Sequence, residues 1–207
     1  GGRWVPNGRA GHLAAACEAS RRALGVERID LYQLHAVDPK VPLEASVPAL
    51  AALQRDGLVA DIGLCNVSLA QLKRAMEIVP VAAVQVEVSP LQDAALRGGL
   101  VEHCAAHGIR LLAYRPFGGV EKQRRIGRDA TLSEIAERHG ATPWEVTLAW
   151  LRSVSPVVVP LPGPTRVDTV RSTAHAATLV LDEADRAALD RRFPAAAPAG
   201  CPGGRPG

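Results

Sequence analysis

Four side chains able to take part in small-molecule chemistry stand at or near the ends of short apolar runs. His35 closes IDLYQLH and Asn66 closes VADIGLCN. Gln85 lies inside AAVQVEV, two residues before Glu87, and Tyr114 lies near the end of IRLLAYRP. An imidazole can donate a hydrogen bond to an oxygen that gains charge. Carboxamides offer a donor and an acceptor at once, and tyrosine adds a flat π-face. Polar groups recurring where successive runs give way to loops point to a site rather than to scatter.

Those runs read as strands. With VVVPLPG (157–163) they number five, and they are mostly apolar rather than strictly alternating, as befits strands covered on both faces of a parallel sheet. Helical segments separate them. Leu13, Cys17 and Leu24 share one helical face before Gly25. Leu43 to Asp56 runs up to Gly57, and Ser68 with Gln71 forms a capping box for a helix ending near Val79. Leu96 to His107 is predicted as a single helix before Gly108. Thr131 with Glu134 predicts another box, and Thr142, Pro143 and Glu145 mark a further start. Val167–Ala177 and Asp182–Phe193 complete the set. One helix per interval, two in the last, suits right-handed βαβ units. An open doubly wound sheet or an arc of a (β/α)8 barrel accommodates this. No G-x-G-x-x-G or Walker glycine pattern follows any strand, which disfavours the former.

Composition narrows the class. The 207 residues are 47% hydrophobic and 22% charged, a globular balance. Aromatics make up only 3%, so the core must be aliphatic. A net charge of +3 does not suggest a nucleic-acid binder. No apolar run reaches the roughly 18 residues of a membrane span, and the opening GGRWVPNGRAGHL holds no secretory signal. Cys17, Cys65, Cys104 and Cys201 lie far apart without a CxxC pair, as expected of reduced cytoplasmic thiols; no metal site is read. The Pro/Gly/Ala-rich tail 194–207 is expected to be disordered, leaving 1–193 as the folded part.

Six collinear stretches resemble the NADP-dependent aldo-keto reductases: GVERIDLYQLHAVDP (25–39), LQRDGLVADIGLCNVSLAQL (53–72), VAAVQVEVSPL (81–91), HGIRLLAYRPFGG (107–119), IAERHGATPWEVTLAWL (135–151) and VVVPLPGPTRVDTVRS (157–172). The resemblance implies an α/β fold, a partial (β/α)8 TIM barrel of about five parallel strands with surrounding helices, reducing small aldehydes and ketones with NADPH. It places His35 on the catalytic histidine that orients the substrate carbonyl. Asn66 and Gln85 fall on the pair holding the nicotinamide carboxamide, with Cys65 where the family usually has Ser. Tyr114 falls on the residue stacked against the nicotinamide. Arg115 falls near the pyrophosphate, where its charge can pair with phosphate or its bulk can block it. Gly163 and Arg166 fall in the segment that reads the 2′-phosphate, a group suited to a guanidinium fork and to a helix N-terminus. Gly163 and Pro164 replace the family's Lys–Ser, and Ser172 and Thr173 its Glu–Asn, so NADH stays admissible beside NADPH. The basic loop Gly118–Arg128, with Lys122, Arg124, Arg125 and Arg128, either closes over the pyrophosphate or is solvated surface.

The family's Asp, Tyr and Lys, of which the Tyr protonates the carbonyl oxygen and the Lys–Asp pair eases its proton transfer, come from the first three βα units. Tyr32 and Tyr114 are the two tyrosines, and both lie within assigned strands. The expectation is a chain that starts near the third barrel helix and, taken alone, is inactive. It would then lack its upstream units rather than be completed by another chain or be a decayed remnant. The alternatives in function are a non-catalytic nicotinamide-dinucleotide-binding module and an inactive remnant. Substrate identity and oligomeric state are not read.

Overall fold

A computed structural model describes residues 5–120 and 122–194. Helix α1 (Ala10–Leu24) leads into strand β1 (Ile29–Leu34). Then follow α2 (Leu43–Arg55), β2 (Val59–Cys65), α3 (Leu69–Met76) and β3 (Ala83–Glu87). Two short helices, α4 (Ala94–Arg97) and α5 (Leu100–Ala106), precede β4 (Arg110–Tyr114). The one-turn α6 (Gln123–Ile126), α7 (Ala130–Arg138) and α8 (Pro143–Val154) lead to β5 (Val158–Leu161), followed by α9 (Val167–Ala176) and α10 (Glu183–Arg192). The strands form one sheet in the order β1-β2-β3-β4-β5. That sequential order lacks the reversal of a doubly wound sheet and is the order of a (β/α)8 barrel. Among the described residues no helix is long and apolar enough to cross a membrane.

The described residues divide into two compact units, one holding those up to 86 together with 102–112, the other 87–101 together with those from 113 on. In the first, β1 pairs parallel to β2 with Gln33 opposite Gly63, and β2 pairs parallel to β3 with Cys65 opposite Gln85. Val47, Leu50, Ile62, Leu64, Leu72 and Val84 are completely buried there, the aliphatic core that the composition demands. The second unit is built on α7, α8 and α10 around Leu132, Val146, Leu151 and Leu189. Trp150 is buried in it, its ring 5.4 Å from that of Phe193 and its Nε1 donating to Asp190 at 3.1 Å. Asp185, also buried, binds Arg138 and His139, each at 2.6 Å, and so ties α10 to α7.

Several local expectations are met. The Ser68–Gln71 and Thr142–Glu145 capping boxes both form. Others need correction. The α7 N-cap is Asp129 rather than Thr131; its carboxylate accepts from Leu132 N at 3.2 Å and pairs with Arg192 at 2.8 Å. Glu134 reaches forward to Arg138 at 2.9 Å instead of back to a cap. The helix predicted over 96–107 is two helices, because Gly98 and Gly99 interrupt it and Gly99 takes φ 71. The basic loop contains a turn of helix, anchored by the buried Ile126. Cys17, Cys65 and Cys104 are free and buried. Cys201 and the tail from 195, expected to be disordered, lie outside the described residues.

Candidate functional site

Each strand stops slightly earlier than its apolar run, and this places the polar residues. His35 is the first residue past β1, Asn66 the first past β2, and Arg115 the first past β4; Gln85 lies within β3 and Tyr114 ends β4. Asn66 (φ 57) and Arg115 (φ 50) both adopt left-handed backbone, uncommon outside glycine.

Within the first unit, Asn66 joins two neighbours. Its Nδ2 donates to the His35 carbonyl at 3.3 Å, and its backbone N donates to the Gln85 carbonyl at 2.8 Å. The structure therefore brings His35, Asn66 and Gln85 together, the first two just past the carboxyl ends of β1 and β2 and the third within the neighbouring β3. His35 and Asn66 are exposed and Gln85 half-buried. Behind them Gln33 donates through Nε2 to Gln85 Oε1 at 3.3 Å, and Cys65 Sγ donates to Gln33 Oε1 at 3.6 Å. Burial pushes the Cys65 thiol up to about 11, so it is a neutral, weak donor at neutral pH. Tyr32 faces elsewhere: its hydroxyl reaches the Leu13 carbonyl of α1 at 3.5 Å, and burial raises its pKa.

In the second unit, Tyr114 and Arg115 border a hollow of ≈ 600 Å³ that Phe117, Gly118, Leu161 and Gly163 also line. The Arg115 guanidinium lies 3.6 Å from the Glu87 carboxylate and 6.0 Å from the centre of the Tyr114 ring. The guanidinium is exposed although Glu87 is half-buried, and at this separation the pair contributes little, so Arg115 can turn to another anion. A second cleft, of ≈ 660 Å³, is lined by Gln123, Trp144, Gly163, Arg166 and Asp168 among others. Arg166 is the N-cap residue of α9, its backbone N donating to Thr169 Oγ1 at 3.2 Å, and its side chain is exposed. Of the basic loop, Arg124 lines this cleft while Arg125 and Arg128 line another, smaller one.

Sequence reading passed over Gln33, Gly63, Trp144 and Asp168. Gln33 shared a strand face with His35, two residues on, which was its one available signal. Its place opposite Gly63 depends on register, and Trp144 and Asp168 enter the cleft only through the way α8 and α9 pack.

Parallel strands in sequential order with helices between them define an α/β protein of the (β/α)8-barrel type. A sequence model described as "Aldo/keto reductase family" matches residues 1–192, and the chain belongs to that family. It is similar to the aldo-keto reductase str7 of Strobilurus tenacellus, 33% identical over 84% of this chain and 60% of that protein. It is also similar to an uncharacterized oxidoreductase of Schizosaccharomyces pombe, 31% identical over 90% of this chain and 60% of that one. The chain thus spans about three-fifths of the length of these curated relatives. Among solved structures, the thermostable aldo-keto reductase Tm1743, in complex with the inhibitor epalrestat, matches with TM-score 0.82 and 33% identity over 89% of this chain and 67% of its own. The aldo-keto reductase AKR2E5 complexed with NADPH, an enzyme of the silkworm Bombyx mori, matches with TM-score 0.79 and 25% identity over 92% of this chain and 62% of its own.

Proposed function

We propose that this chain supplies the catalytic histidine and the nicotinamide-dinucleotide bed of a carbonyl reductase acting on small aldehydes or ketones. The observation that carries this reading is the contact of Asn66 with both His35 and Gln85, which sets an imidazole-bearing loop beside two carboxamides. The residues fit a dinucleotide. Asn66 and Gln85 present the donors and acceptors that a nicotinamide carboxamide needs. Tyr114 offers a face for the ring, and Arg115 and Gly163 border a hollow with space for phosphate. Arg166, exposed at the start of α9, offers a fork for a 2′-phosphate. NADPH is the expected cofactor. NADH is a second candidate, because Asp168 in the first turn of α9 lines the same cleft and opposes an added phosphate. When bound, such a cofactor supplies the hydride.

His35 would orient the substrate carbonyl and donate a hydrogen bond to its oxygen as charge grows there. The tyrosine that the family uses as proton donor has no match here, since Tyr32 is turned to α1 and Tyr114 is assigned to the cofactor ring. The 207-residue chain by itself is therefore expected not to reduce 4-nitrobenzaldehyde with NADPH. Titration of NADPH while following tryptophan fluorescence tests the binding half of the proposal. Trp144 lines the cleft beside Arg166 and is the reporter, Trp150 being buried and Trp4 outside the described residues. A saturable change is expected, absent in Trp144→Phe; a flat titration of the unmodified chain would refute cofactor binding.

A further inference from the structure

Behind the carboxamide pair lies a side chain that the family resemblance does not assign. Gln33 sits in β1 opposite Gly63 of β2. A Cβ placed at Gly63 would lie 2.7 Å from Gln33 Cγ and 3.0 Å from Gln33 Oε1, so the Gln33 side chain lies flat across β2 in the space that the glycine leaves. From there its amide is committed at both ends. Oε1 accepts from Cys65 Sγ at 3.6 Å, and Nε2 donates to Gln85 Oε1 at 3.3 Å. An amide whose oxygen is occupied by a donor cannot rotate to exchange its oxygen and nitrogen without losing that bond.

We infer that Gln33 is a positioning residue: seated in the Gly63 gap and oriented by Cys65, it fixes the Gln85 amide for the nicotinamide carboxamide. This rests on the reading of Gln85 as a cofactor contact and adds to it a cause for its orientation. Gln33 takes one lone pair of Gln85 Oε1. The second lone pair and both Nε2 hydrogens stay available to a ligand, and among the described residues no other protein group binds that amide. The weak thiol donor at 65 suits the arrangement, because it tells the two ends of Gln33 apart without competing for the Gln85 oxygen.

The test compares two ligands on the 207-residue chain by calorimetric titration: NADP+, and adenosine 2′,5′-bisphosphate, which lacks the nicotinamide. The unmodified chain is expected to bind NADP+ more tightly. Gln33→Met removes both hydrogen bonds at similar volume, whereas Gln33→Glu keeps an acceptor for Cys65 and loses the donor to Gln85. Each should lower NADP+ affinity by about three- to tenfold, the size of one or two net hydrogen bonds, and leave the bisphosphate affinity unchanged. Unchanged NADP+ affinity in both variants, or equal falls for both ligands, overturns the inference, the latter marking Gln33 as merely structural. If the unmodified chain binds neither ligand, the cofactor reading itself fails and the inference falls with it; binding of both ligands with equal affinity removes Gln85 as a nicotinamide contact.

Discussion

Gly63→Ala gives the sharpest test of how the first unit is packed behind its carboxamides. The new methyl group would lie 2.7 Å from Gln33 Cγ and 3.2 Å from the Ala83 carbonyl oxygen. The carbonyl belongs to β3 and cannot retreat, so Gln33 must leave its place. Displacing it to a poorer rotamer costs about 0.5–1.5 kcal/mol, and the hydrogen bond to Gln85 is worth about 0.5–1.5 kcal/mol more. Against this, alanine narrows the unfolded ensemble by about 0.4–1 kcal/mol. A net loss of about 1–2 kcal/mol follows. Urea denaturation of four proteins measures it: the unmodified chain, Gly63→Ala, Gln33→Ala and the double variant. With Gln33 already truncated, only the 3.2 Å approach to the Ala83 carbonyl remains, which the narrowed unfolded ensemble offsets. The second substitution should then cost nearly nothing, leaving a coupling energy of about 1 kcal/mol or more. Strictly additive losses, or a Gly63→Ala protein as stable as its parent, would show that the side chains do not meet as described.

Four further outcomes follow from the chemistry of particular side chains. Burial alone would raise the Asp185 pKa, but hydrogen bonds from Arg138, His139 and the Asp182 backbone hold it below its ordinary value of 3.8. Because its folded pKa is depressed, the stability it contributes is whole above 3.8 and lost as pH falls from there through the folded value. Asp185→Asn should thus cost about 1.5–3 kcal/mol at pH 7 and progressively less below pH 3.8 in a pH series of urea melts; a constant difference would contradict the assignment. At the start of α9, Arg166→Ala should lower the preference for NADPH over NADH about tenfold, and Asp168→Asn should raise it about two- to fivefold, both read by competition binding. Cys65 and Cys104, each pushed up to about 11 by burial, should resist iodoacetamide at pH 7.5 in a Cys201→Ser protein until urea unfolds it. Rapid native labelling of either would be inconsistent with their burial.

The sequence was most legible where the physics is local. Ser68–Gln71 and Thr142–Glu145 form their boxes because cap and partner lie three residues apart and nothing distant competes. At α7 a distant group did compete. Asp129, held by Arg192 from α10, became the cap in place of Thr131, and that contact joins residues 63 apart in the sequence. His35, Asn66 and Tyr114 were readable as strand-end residues because apolar runs stop where a parallel strand meets its loop. Which of them touch, and what stands behind them, was not readable. The Gln33–Gln85 contact needs the register of β1 on β2 and of β2 on β3 together, and no periodicity within a single strand carries that information.

The left-handed turns at Asn66 and Arg115 set two demands against each other. Glycine at either position would relieve a backbone penalty, modest for asparagine and of order 1 kcal/mol for arginine. It would also delete the group held out at the strand exit. At 115 selection for thermal endurance alone would therefore drift toward glycine, whereas at 66 the bond to the His35 carbonyl offsets the smaller penalty. Persistence of a larger side chain at 115 in the face of that drift would be a mark of use.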